Sequence, residues 1–296
     1  MSRDKWAEWL AERRYGGDPE TRRRLRDQLN PTRDKVLDLA GLSEGESLLD
    51  VGCGEGLIAF GALERGAGTV IFTDISTDLL DLCRQVAGEL GLTDRCRFIE
   101  ASADDLDGVE NETVDVVATR SVLIYVDDKR AAFHEFVRVL RPGGRLSIFE
   151  PINRFALREA DTWAGYDLSP IHDIGEKIRA IYDAIQPRDS DPMLDFDERD
   201  LVQLTEEAGF FPIRILLEIE IKRTDPRAWE GFLNTSGNPR IPTVAEAMDQ
   251  ALTSAERGQL TNHLRPLVEQ GLGVWRMATA HLVATKPASP AGNGQR

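Results

Sequence analysis

A chain of 296 residues with 41% apolar side chains can bury a core larger than one minimal domain needs, so one enlarged domain or a domain with a cap is expected. Its net charge of -15 argues against a surface built to hold a nucleic-acid backbone, where a basic face is the usual footprint. The cysteines Cys53, Cys83 and Cys96 have neither metal-ligand spacing nor the even number of a disulfide framework, and no stretch nears the roughly 18 apolar residues of a membrane span; a cytoplasmic protein with reduced thiols and no membrane partner is expected.

Residues 1–30 read as a helical arm in which charge interrupts every apolar run. Residues 1–35 hold 10 Lys and Arg against 7 Asp and Glu, leaving 26 against 44 in the remainder, so a basic arm precedes an acidic body. The run "RRRLR" at 22–26 could suggest RNA but reads as a solvated helix face, pairing with the acidic body. From 31 to 150, short apolar runs alternate with amphipathic ones, the pattern of βα units in a mostly parallel sheet. Strands are expected at 47–51, 69–73, 97–100, 114–119 and 145–150, and helices at 31–40, 57–65, 77–88 and 129–139. The glycine pair of "RPGG" at 141–144 ends the last helix and turns the chain into the next strand.

Beyond Pro151 the pattern changes. Residues 151–195 lack strand alternation and read as a helical lid. The stretch 196–286 returns to the core with a helix at 196–207 and strands at 213–221 and 276–285. Those strands are separated by 224–273, far too long for a hairpin turn and expected to form a second cap element with two helical runs, or the contact of a homodimer. The tail 287–296 has almost nothing to bury and reads as disordered.

The chemistry concentrates in "LLDVGCGEGLIAF", residues 48–60. Glycines between a strand and a helix let the backbone approach a ligand, and the helix offers its free amides. The spacing is Gly52-x-Gly54-x-Gly56, with Leu57 where a dinucleotide fingerprint needs its third glycine. Asp50 precedes the turn, poorly placed for a pyrophosphate and well placed for an ammonium group.

This stretch resembles motif I of the class I S-adenosylmethionine-dependent methyltransferases of the small-molecule type, and the family pattern continues in order. Asp74 in "VIFTDIS", 20 residues beyond Gly54, matches the ribose-hydroxyl acceptor. "ASADDL" at 101–106 matches the adenine loop, "VDVVATRSVLIYV" the fourth strand and its exit, and "RVLRPGGRLSIFEP" the helix, turn and fifth strand. The resemblance covers about 45–151 and implies a Rossmann-like, mostly parallel seven-stranded α/β sheet with helices on both faces, elaborated by helical cap and lid insertions. It also implies S-adenosyl-L-methionine as cofactor, held by Asp50, Gly52, Cys53, Gly54, Gly56, Asp74, Ile75, Ser102, Ala103, Asp104, Thr119 and Arg120.

Several of these positions have a plainer reading. Asp74 could simply cap the following helix, Cys53 could pack, and Arg120 either meets the cofactor carboxylate or an acidic substrate, or pairs with one of the chain's acids. Ser102 stands where relatives often carry an acid, which passes the adenine contact to Asp104 or to backbone, and "LIYV" replaces a frequent histidine pair at the exit of the fourth strand.

Methyl transfer to a hydroxyl or carbon acceptor needs alignment and a proton acceptor. Glu150 is the first candidate base, because it ends the fifth strand at the sheet's carboxyl edge. His172, with Asp173 beside it, and Tyr15 follow, and Tyr125 could line a pocket. No metal triad is evident, so a metal-independent enzyme acting on a small molecule, roofed by 1–30, 152–190 and 224–273, is expected. An NAD-dependent oxidoreductase and a cofactor-binding protein without transferase activity are the alternatives.

Overall fold

The computed structural model describes residues 3–14, 28–156 and 162–288. In chain order it contains α1 (Lys5–Glu8) with a π-helical turn (Trp9–Arg13), α2 (Asn30–Ala40), β1 (Ser47–Val51), α3 (Leu57–Glu64), β2 (Thr69–Asp74), α4 (Thr77–Glu89) and β3 (Cys96–Glu100). There follow β4 (Val114–Arg120), a 3-10 turn (Leu123–Tyr125), α5 (Lys129–Val139), β5 (Leu140–Pro151), β6 (Thr162–Trp163), β7 (Tyr166–Asp167) and α6 (His172–Ile185). The chain continues with α7 (Glu198–Glu207), β8 (Ile213–Arg223), α8 (Trp229–Leu233), α9 (Val244–Ala251), α10 (Ser254–Glu269) and β9 (Val274–Thr285).

Seven strands form one sheet in the order β3-β2-β1-β4-β5-β9-β8. Strands β1 to β5 run parallel and β9 returns antiparallel against β5, so the sheet is mostly parallel as the sequence implies. Burial on both faces explains why adjacent residues are apolar in these strands, as in Leu48–Leu49 of β1 and Val116–Val117 of β4. On one face Leu48, Val70, Phe72, Val116 and Ala118 pack against Val36 and Leu37 of α2, Ile58 and Ala62 of α3, and Leu80 of α4. Residues of the opposite parity, Leu49, Val117 and Ile148, face the other side and are equally buried, as are Phe133 and Phe136 of α5. Strand order reverses between β1 and β4, so the turns after β1, β2 and β4 meet at one carboxyl edge, where open α/β sheets place ligands.

Two compact units divide the chain. The first comprises Leu29–Pro151, Phe196–Leu217 and the chain from Thr279, and holds the sheet contacts just described. The second comprises the described parts of Met1–Gln28, Ile152–Asp195 and Glu218–Ala278. Its own core joins Tyr166, Leu168, Ile178, Trp229, Phe232, Leu260 and Leu264. Within it the Trp9 indole donates to the Ser236 carbonyl at 3.0 Å, tying the N-terminal turn to the segment before α9. Capping boxes Thr243/Glu246 and Thr253/Glu256 start α9 and α10.

Three expectations need correction. The 151–195 segment is not wholly helical, since β6 and β7 form a small hairpin. The 224–273 segment holds three helices rather than two. "RPGG" does not separate helix from strand: α5 ends at Val139, pairing starts at Leu140, and 141–144 form an irregularity where the register with β4 jumps from Val114↔Leu140 to Val116↔Arg145.

Candidate active site

The glycine turn follows from its constraints. Gly52, Gly54 and Gly56 have φ of 65°, 54° and 79°, the left-handed region that favours glycine. A Cβ on Gly52 would sit 2.4 Å from Val122 Cγ2, and one on Gly56 would sit 2.5 Å from the Phe60 ring, whereas one on Gly54 would meet nothing within 4 Å. Two glycines are therefore required by packing, while the third faces open space.

Two acids flank the turn. Asp74, at the end of β2, accepts the Gly54 amide at 2.8 Å and the Ser76 amide at 2.9 Å. The cap of α4 is Ser76, whose hydroxyl accepts the Leu79 amide, so Asp74 is not the cap. Asp50 is buried and accepts the amide of Ala59 at 2.9 Å, in the first turn of α3. Gly56 has no side chain with which to cap α3, and Asp50 takes that part from the strand below. Burial pushes its carboxyl up to about 7, against the pull of the Ala59 amide and the Arg120 charge.

Around this turn, Cys53 donates its amide to Thr73 and packs with its thiol toward Cys83; the neighbouring thiol and burial raise it well above the ordinary range. The Cys83 thiol points to the Gly54 carbonyl at 3.3 Å. Ile75 is half exposed beside Asp74. The Ala101 amide donates to the Asp74 carbonyl at 3.1 Å, drawing the 101–105 loop to the end of β2, and the Ser102 hydroxyl donates to the Asp104 carboxylate while Ala103 is buried. The turn, both acids, Ile75 and the start of this loop thus form one constellation.

Other candidates fall elsewhere. Thr119 and Glu150 are both buried, at the ends of β4 and β5. Glu150 Oε1 accepts the amides of Val122 at 2.8 Å and Leu123 at 2.9 Å, and burial raises its carboxyl to about 7. Arg120 is half-buried at the end of β4, where its charge acts on both Asp50 and Glu150. His172 opens α6 in the second unit, half exposed, with Nε2 3.5 Å from Glu176. Tyr15 lies outside the described residues, as do 22–26 and the tail from 289. Among the described residues no group of three or more His, Cys, Asp or Glu is placed to hold a metal ion, and no helix is long and apolar enough to cross a membrane.

Sequence reasoning missed Val122, Phe60 and Cys83, the side chains that shape the glycine turn; no local motif marks them. Ser76 was legible, since a helix beginning at Thr77 puts serine at its cap.

The residues present fit a cofactor with an adenosyl and an amino-acid end: an open glycine face, a carboxylate at a strand end, and an exposed apolar side chain beside it. Comparison with known proteins agrees. Residues 49–148 match the family model described as a methyltransferase domain. The chain is 26% identical over 177 residues to the ubiquinone/menaquinone biosynthesis C-methyltransferase of Klebsiella pneumoniae, covering 59% of this chain and 70% of that protein. It is 35% identical over 138 residues to the ubiquinone biosynthesis O-methyltransferase of Alkalilimnicola ehrlichii, covering 46% and 54%. Geranyl diphosphate methyltransferase, solved in complex with S-adenosylmethionine, has the same fold, with a TM-score of 0.53, 18% identity and 96% of each chain covered. Residues 49–148 thus match a methyltransferase domain, and over them the chain is similar to the class I S-adenosylmethionine-dependent methyltransferases.

Proposed function

We propose that the chain binds S-adenosyl-L-methionine on its glycine turn and moves the methyl group, by in-line displacement and without a resident metal, to an O, N or C atom of a small organic molecule. The observation that carries this reading is the turn itself, in which Gly54 keeps a bare face between Asp50 and Asp74. When bound, the cofactor supplies a methyl group activated by its sulfonium. Asp74, whose carboxylate holds the Gly54 and Ser76 amides at the end of β2, would accept from a ribose diol. Ile75 offers an apolar flank to a flat base, and the Ser102–Asp104 pair fixes the loop beside it. Asp50 fixes the start of α3 through its Ala59 bond, and a cofactor ammonium group close to it would favour its charged form.

Small size of the acceptor is supported by the net charge of -15 and by the names of the two relatives, a C- and an O-methyltransferase of quinone biosynthesis. Titration calorimetry with S-adenosylmethionine, S-adenosylhomocysteine and NAD tests the reading. Micromolar heats from the first two with none from NAD are expected; binding of NAD alone would refute it. Turnover, once an acceptor is found, should survive chelation by EDTA.

A further inference from the structure

Glu150 is fully enclosed, one oxygen is bonded to two successive amides, and the other lies buried without a hydrogen-bond partner among the described residues. Those amides, of Val122 and Leu123, open the 3-10 turn Leu123–Tyr125 at the exit of β4. The side chain of Val122 is also what presses on Gly52. Just before it, Ser121 holds φ of 57°, a conformation that a non-glycine residue keeps only with support, and its amide donates to the Phe149 carbonyl at 2.8 Å. The end of β5 thus fixes 121–123 through three hydrogen bonds, and 122 forms a wall of the glycine turn.

We propose that Glu150 is a positioning residue: by accepting the Val122 and Leu123 amides it seats Val122 against Gly52 and so sets the shape of the turn that receives the cofactor. The proposal rests on the reading that this turn holds S-adenosylmethionine. Removing the acceptor strands two amides, one of them of the buried Leu123, and the segment must shift to satisfy them. Val122 then leaves Gly52, and the turn gains room it does not have in the native chain. What matters at this position is an acceptor oxygen, which glutamine also carries; a proton-accepting base would need the carboxylate and exposure to substrate.

The test compares Glu150→Ala, Glu150→Gln and Val122→Ala with the unaltered protein, reading S-adenosylhomocysteine affinity by calorimetry and hydrogen exchange at 52–56 and 121–126. Affinity should fall about 10-fold or more in Glu150→Ala, return to within about 3-fold in Glu150→Gln, and fall about 3-fold in Val122→Ala, which retains both amide bonds. Exchange should rise in both segments of Glu150→Ala. Unchanged affinity in a folded Glu150→Ala, or equal losses in the alanine and glutamine variants, overturns the proposal. If Glu150→Ala does not fold, Val122→Ala decides, and unaltered affinity there overturns it. If the unaltered protein binds no S-adenosylhomocysteine, the cofactor reading fails instead, and exchange alone decides: faster exchange at 121–126 with 52–56 unmoved would sink the coupling.

Discussion

A carboxyl group stripped of water keeps its proton longer than in an unfolded chain, and Asp50 and Glu150 are two such groups, both raised to about 7 mainly by burial. Between about pH 4 and 7 the folded chain therefore binds more protons at these sites than the unfolded chain, whose carboxyls ionise near 3.8 and 4.5. Their contribution to stability is fully present below about pH 4 and lost as pH rises through about 7. Half-buried carboxylates such as Asp34 and Glu46, held low by hydrogen bonds from Arg33 and Arg145, act in the opposite sense, so variants are needed to isolate the effect. Thermal melts at about pH 5 and about pH 8 should show a larger fall in the unaltered protein than in Asp50→Asn, by a few kcal/mol at most. Equal falls would mean that Asp50 is ionised in the folded chain. Asp74 is a different case, because its carboxylate holds the Gly54 and Ser76 amides. Asp74→Ala should weaken cofactor binding by about 1.5 to 3 kcal/mol, and Asp74→Asn, which keeps one acceptor oxygen, by less; calorimetry showing no loss in either would remove Asp74 from the site.

At the scale of elements, the three glycines of the turn separate folding from binding. All three have positive φ, so alanine strains each by about 1 to 2 kcal/mol. Only at Gly52 and Gly56 does the methyl also meet a neighbour, the Val122 side chain and the Phe60 ring. Gly54→Ala should thus fold with a modest drop in melting temperature yet lose affinity for S-adenosylhomocysteine at least about 10-fold, while Gly56→Ala should lose more than about 2 kcal/mol of stability. A Gly54→Ala protein that binds normally would show that no ligand approaches this face. The elements carrying the turn were legible because β1, β2 and β4 are apolar on both faces and α3 and α4 begin at glycine and serine signals. The β6–β7 hairpin was not: its two-residue turn is Ala164-Gly165, with φ of 50° and 84°, and alanine hides a geometry normally announced by asparagine or aspartate. Nor was the part played by Glu150, since a strand-end acid reads the same whether it faces solvent or the amides of a loop 27 residues earlier in the chain.

For the whole molecule the dominant fact is charge. A net -15 repels itself, and the described arginines and lysines offset this mostly through exposed pairs such as Arg84–Asp81, Arg265–Glu269 and Lys222–Glu220. Each exposed pair contributes about 0 to 1 kcal/mol, and salt weakens pairs and repulsion alike. The two effects differ in range. A pair acts over one contact, where screening removes little, whereas repulsion among surplus acids sums over distances comparable to the Debye length, which shrinks from about 30 Å at 0.01 M to about 8 Å at 0.15 M salt. Long-range repulsion is therefore lost first, and the melting temperature should rise as sodium chloride increases across that range at about pH 7.5. A fall would mean that local ion pairs, rather than the surplus of acids, govern the electrostatics of the folded chain.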